Sequence, residues 1–186
     1  MTNGFAPSVT LEEFLRLLET KPASEFVRGE IIKKPMPQGE HSRLQSKLCA
    51  AINEVAESQK IAYAFPELRC SFGGYSIVPD ISVFLWERIP LSFLGRIANR
   101  FEIHPDWVIE ILSPDRKQTK VLENLLHCSQ HGTKLGWLID LEEESILVVF
   151  PEQRVKLFRK KTRLPILRPI ELVLTVENVF NWLKMK

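Results

Sequence analysis

The chain has 186 residues, 45% apolar and 26% charged, with a formal net charge of +2. That size and balance suit one soluble globular domain over 1–186 and exclude a disordered chain. No apolar run approaches the roughly 20 residues of a membrane span, and MTNGFAPSVT lacks the basic and apolar stretches of a secretory leader. A cytoplasmic location with no membrane partner is expected. Cys49, Cys70 and Cys128 are odd in number and far apart, which argues against a disulfide framework or a zinc knuckle. Lysines and arginines gather from Arg154 to Arg168, where a solvated edge or turn is the plainer reading. The small net charge neither demands nor excludes nucleic acid.

In chain order, Thr10 and Glu13 fit a capping box, with Leu11, Phe14, Leu15 and Leu18 at helical spacing. Ser24 to Lys34 reads as a hairpin turning at Arg28-Gly29. His41 to Glu57 is a second helix, with Leu44, Leu48, Ala51, Ile52 and Val55 as its apolar stripe. Two long strands, Ile61 to Phe72 and Tyr75 to Trp86, flank the turn Gly73-Gly74. WVIEIL, at 107–112, has the character of a central buried strand. A helix from Lys117 to His131 ends at Gly132, and the strands GWLIDL and SILVVF follow. A strand around Val155 to Phe158 and a helix from Val176 to Lys184 close the order. Residues 107–141 form one βαβ crossover within a mixed sheet, which places the chain in the α/β (α+β) class.

The chemistry concentrates in two acids. SIVPDISVF puts Asp80 within an apolar run, and WVIEIL does the same with Glu110. An uncompensated carboxylate in an apolar setting costs several kcal/mol unless it gains a proton or a cationic partner. Two on adjacent buried strands repel unless a cation lies between them. Mg²⁺ suits such a pair, because it takes oxygen ligands and keeps waters for a phosphate substrate. On the following helix Lys120, Asn124, His127 and His131 share one face, opposite Val121, Leu122, Leu125 and Leu126. That face reads either as site chemistry or as the wet side of an amphipathic helix. His41, just inside the second helix, reads as a site group or as a helix-end polar residue.

In order along the chain, FVRGEIIKKPMPQGEHSRLQ, VPDISVF, PDWVIEILSPD and GWLID resemble the bacterial "putative restriction endonuclease" domain family of the PD-(D/E)XK nuclease-like superfamily. The resemblance covers residues from about 10 to 150. It implies a restriction-endonuclease-like core, a mixed central sheet flanked by helices, and metal-dependent phosphodiester cleavage. Asp80 matches the PD aspartate and Glu110 the acid of (D/E)XK, both as ligands of Mg²⁺ or Mn²⁺. A lysine belongs two residues beyond Glu110, but Leu112 stands there. The family often moves this lysine to the next helix, which makes Lys120 the expected substitute, ahead of Lys117, with Asn124 one turn on. His41 matches a family histidine, as a proton-transfer or phosphate-positioning group, and Glu30 the family's GE element. Glu67 reads as a surface acid or an extra site acid. The expected partner is DNA, with RNA open, engaged by a homodimer. The alternative is a nuclease fold kept for binding or assembly without turnover, which Leu112 and Asn124 favour.

Overall fold

The computed structural model describes residues 9–114 and 116–186. The leader reading over residues 1–8 and the Asp115 of SPD lie outside the described residues.

Thr10 caps helix α1 (Leu11–Leu15) with the expected box: its hydroxyl accepts from the Glu13 amide, and Glu13 accepts from the Thr10 amide. Strands β1 (Ser24–Val27) and β2 (Glu30–Lys33) pair in antiparallel register around Arg28 and Gly29, both at positive φ, as a two-residue hairpin turn requires. Helix α2 spans Gly39–Ala56 and buries Leu44, Leu48 and Ile52 completely.

The following stretch departs from the expected pair of long strands. It divides into β3 (Ala62–Pro66), β4 (Cys70–Phe72), β5 (Tyr75–Ile77) and β6 (Ile81–Leu85). Gly73-Gly74 does turn a hairpin, but only the three-residue pairs of β4 and β5 belong to it. The outer arms, β3 and β6, pair with one another in a different sheet. Both arms therefore switch sheets, one through Glu67, at positive φ, the other through Val78, Pro79 and Asp80. Pro79 has no amide to donate to a ladder, and the Val78 amide goes to the Glu25 side chain instead. Asp80 thus lies between two strands, not within one.

Strand β7 (Trp107–Leu112), helix α3 (Gln118–Gln130) and strand β8 (Leu135–Asp140) form the crossover, with β7 and β8 parallel. Strands β9 (Ser145–Val149) and β10 (Val155–Arg159) then extend the sheet antiparallel, and helix α4 (Val176–Asn181) closes the chain. The result is a six-stranded mixed sheet, β10-β9-β8-β7-β6-β3, beside a four-stranded sheet, β2-β1-β5-β4. Arg159 and the two lysines after it lie exposed at the outer end of edge strand β10.

Alternation along β7 distributes its side chains to two cores. Trp107, Ile109 and Ile111 join α2 and the C-terminal segment in one apolar cluster, where Trp107 and Trp137 pack edge to face at 4.8 Å. Val108 and Leu112 join the other, with Val121 and Leu125 of α3 and Val27 and Ile77 of the small sheet. Glu110 lies between Val108 and Leu112 on that second face.

Helix α3 buries Val121, Asn124, Leu125, His127 and Cys128, so Asn124 and His127 do not lie on a wet face. The β4–β5 hairpin covers His127, with the Tyr75 ring stacked 3.7 Å from the His127 ring, whereas Asn124 lines a groove beside the β1–β2 hairpin. Gly73, at φ +57°, lies so close to His131 that a Cβ there would overlap the imidazole. Gly73→Ala is expected to lower the unfolding free energy by about 2 kcal/mol or more, from the backbone strain and the displaced ring together. Urea unfolding of the variant against wild type measures this.

Candidate active site

The seam between the two sheets brings together six ionisable side chains from six parts of the chain. Asp80 and Glu110 are both within reach of one ammonium: Lys34 Nζ lies 2.7 Å from Asp80 Oδ1 and 3.8 Å from Glu110 Oε2. Lys34 follows β2, and the β1–β2 hairpin carries it under the large sheet, where its Nζ also donates to the Val78 carbonyl at 2.6 Å. Arg116, in the turn from β7 to α3, forks between Glu110 Oε2 at 3.1 Å and Glu25 Oε2 at 2.9 Å. Glu25, buried on β1, uses its other oxygen to accept from the Val78 amide.

Asp80 is held from every side. Its Oδ2 accepts from the Ile111 amide at 2.7 Å and lies 3.1 Å from His41 Nε2, in the first turn of α2. Its own carbonyl accepts from Gln45 and from the Glu67 amide. A carboxylate oxygen can only accept here, so the His41 proton sits on Nε2. His41 Nδ1 is buried with no partner among the described residues. Glu110 Oε1 and Ser113 Oγ are likewise buried and unpartnered.

Electrostatics follow from this packing. Burial alone would raise the Asp80 carboxyl, but Lys34 and His41 beside it hold it well below the usual carboxylate range. Glu110 is fully enclosed, and burial pushes it up to about 8, against the pull of Lys34 and Arg116. For Lys34, burial favours the neutral amine, yet Glu110, Asp80 and Glu25 around it raise its pKa. Lys34 thus stays an ammonium inside the protein.

Beside the acids opens a cleft of about 360 Å³, lined by Lys34, His41, Asp80, Ser113 and Arg116, with exposed Glu67 at its margin. The structure thus gathers Asp80, Glu110 and His41. Lys120 does not join them: it is exposed on α3 and lines a neighbouring groove with Lys117 and Glu30, because the first turn of α3 faces the outside of the β1–β2 hairpin. The cation at the acids is Lys34. Leu112 packs with the apolar cluster under α3.

His127 and His131 belong to a separate aromatic group around Phe72. Glu25 shows the same sequence signal as Asp80, an acid among apolar strand residues, whereas Lys34 and Arg116 carry no comparable local signal.

The chain is thus a two-sheet α+β domain with two buried acids and a buried ammonium at the seam of its sheets. The family model described as Putative restriction endonuclease (Uma2) matches residues 11–177, and the chain belongs to that family. A crystal structure of a putative nuclease belonging to DUF820 from Anabaena variabilis ATCC 29413 is similar, at 53% identity and a TM-score of 0.93. The match covers 95% of this chain and 99% of that one. Among curated proteins none matches. No helix among the described residues is long and apolar enough to cross a membrane.

Removing Lys34 would leave Asp80 and Glu110 facing one another without their shared ammonium. Lys34→Ala is expected to lower the unfolding free energy by about 3–5 kcal/mol, and Lys34→Met combined with Asp80→Asn to recover much of it, both read by denaturant unfolding. A second expectation concerns acid. Burial lowers the His127 pKa in the folded protein, so the folded state favours the neutral ring and loses that advantage as pH falls below the unfolded value of about 6.5. The Tm difference between wild type and His127→Phe should therefore shift against wild type from pH 7.5 to about 5.5. A constant difference would mean that the ring titrates freely.

Proposed function

We propose that the chain is a metal-dependent nuclease that hydrolyses phosphodiester bonds in DNA, working as one unit over residues 1–186 and as a homodimer. The observation that carries this reading is the buried trio at the seam, Asp80 and Glu110 on one ammonium, beside a cleft that Asp80, Lys34, His41 and Ser113 line.

The donor chemistry fits a hard divalent ion. Asp80 and Glu110 offer oxygens, and Glu110 Oε1 is buried with no partner. Among the described residues no group of three His, Cys, Asp or Glu side chains is arranged for a metal. Two carboxylates with waters completing the shell match how Mg²⁺ is usually held. Asp80 and Glu110 would hold Mg²⁺ or Mn²⁺, and the ion when bound would supply polarisation of the scissile phosphate.

The remaining roles belong to the chain's own groups. Lys34 takes the part expected of Lys120: its ammonium faces the cleft and offsets charge that grows on the phosphate oxygens. His41 is oriented by Asp80 through Nε2 and lines the cleft, as a proton-transfer or phosphate-positioning group. Arg116 positions Glu110 through its fork to Glu25. Lys34, Asp80 and Glu110 are themselves buried, so their charges act at a lower effective dielectric.

A second reading has one observation behind it. Lys34 and Arg116 already compensate the carboxylates, as a structural ion cluster in an inactive nuclease-fold module would require. Titration calorimetry with Mn²⁺ and cleavage of plasmid and labelled oligonucleotides separate the two. The nuclease reading expects ion binding that Asp80→Ala abolishes, and cleavage that falls by about 100-fold or more in a folded Lys34→Met variant. Ion binding indifferent to Asp80→Ala, or undiminished cleavage by Lys34→Met, would sink it.

A further inference from the structure

Next to the acid cleft lies a second concavity, a groove of about 590 Å³ between the β1–β2 hairpin and the first turns of α3. Lys34, Pro35 and Arg116 line both spaces, so the groove runs directly into the site. Its charges are unevenly balanced. Glu25 is occupied by Arg116 at 2.9 Å, and Glu123 pairs with Arg28 at 3.3 Å. This leaves Lys33, Lys117 and Lys120, which form no ion pair among the described residues, against Glu30 alone. The N-terminus of α3 adds to the positive side, for Lys117 gives it no side-chain cap and its first turn carries no acid.

The independent sign of a ligand is Asn124. This side chain is only 4% exposed, lines the groove and forms no hydrogen bond among the described residues. Its amide atoms are not among the fully enclosed atoms without a partner, so this otherwise buried side chain opens its polar end onto the groove, where a ligand can reach it. Its neighbours in α3, Val121, Leu125 and Cys128, are apolar and buried, so packing gives no reason for an amide at this position.

We infer that this groove holds the sugar–phosphate backbone of the DNA strand beside the bond to be cut, with Lys33, Lys117 and Lys120 on its phosphates and the Asn124 amide hydrogen-bonded to it. The inference rests on the nuclease reading and adds where the flanking strand lies. It also gives Lys120 a purpose: it grips substrate at a distance from the acids. Lys34 and Arg116, on the wall between the two spaces, guide the strand from groove to cleft. Contacts of this kind are independent of base sequence and sensitive to salt.

Fluorescence anisotropy with a short labelled single strand of DNA, full-length protein and EDTA tests the groove without cleavage. The Lys117→Ala/Lys120→Ala pair, both exposed and expected to fold, should weaken binding by about tenfold at low salt. It should also lower the slope of log affinity against log salt by about 1.4, at about 0.7 per lost phosphate contact. Asn124→Leu, of similar volume, should weaken binding with little change in slope. Lys156→Ala/Lys161→Ala, on and just beyond the distant edge strand, should alter neither quantity.

If wild type binds and cleaves DNA while the groove variants match it in affinity and slope, the inference falls and the nuclease reading stands. Equal losses from the distant pair would also overturn it, by reducing the effect to net charge. If wild type binds no DNA in EDTA or in Mg²⁺, both readings fall together.

Discussion

The structure depends on one ammonium in the wrong place for a lysine. Lys34 Nζ is buried between Asp80 and Glu110, 2.7 Å from the first and 3.8 Å from the second. Without it Asp80 and Glu110 would face one another at the seam uncompensated, and Glu110, whose pKa burial already raises, would hold its proton still more tightly. With it, and with Arg116 between Glu110 and Glu25, three acids and two cations form a closed network. Such networks rarely stabilise a fold more than apolar side chains of the same size would. Their use here is to keep charged groups assembled at the base of a cleft.

The same network ties the two sheets together. The β1–β2 hairpin contributes Glu25 and Lys34, α2 contributes His41 and Gln45, and β7 and its turn contribute Glu110 and Arg116. All of them meet at the peptide where the chain leaves the small sheet for the large one. Asp80 is engaged there through both its side chain and its carbonyl. Its position is therefore overdetermined. The chain's membership of the Putative restriction endonuclease family gives that arrangement its chemical context.

Much of this was legible in the sequence, because an ionisable residue inside an apolar run has few explanations. Asp80 and Glu110 stand out for that reason, His41 through its place at the start of α2 and the family resemblance, and the crossover through β7, α3 and β8 follows from length and periodicity. Lys34 did not stand out. A lysine next to a proline at a strand end reads as surface, and its partner Asp80 is 46 residues away. Alternation continues unbroken when a strand passes from one sheet to another, so the four short strands β3 to β6 have the pattern of two long ones. The polar residues of α3 divide between two surroundings: Lys120 is exposed, while His127 is covered by Phe72 and Tyr75, which arrive from a distant hairpin.

The wide separation of the parts has a consequence for the order in which they come together. Glu25 and Arg116 are 91 positions apart, yet they form one ion pair at the seam. Closing so long a loop is slow compared with forming α2 or a hairpin. During synthesis the acids cannot converge until the turn after β7 has left the ribosome. A growing chain therefore carries these carboxylates apart, and they acquire their joint chemistry only when the two sheets meet.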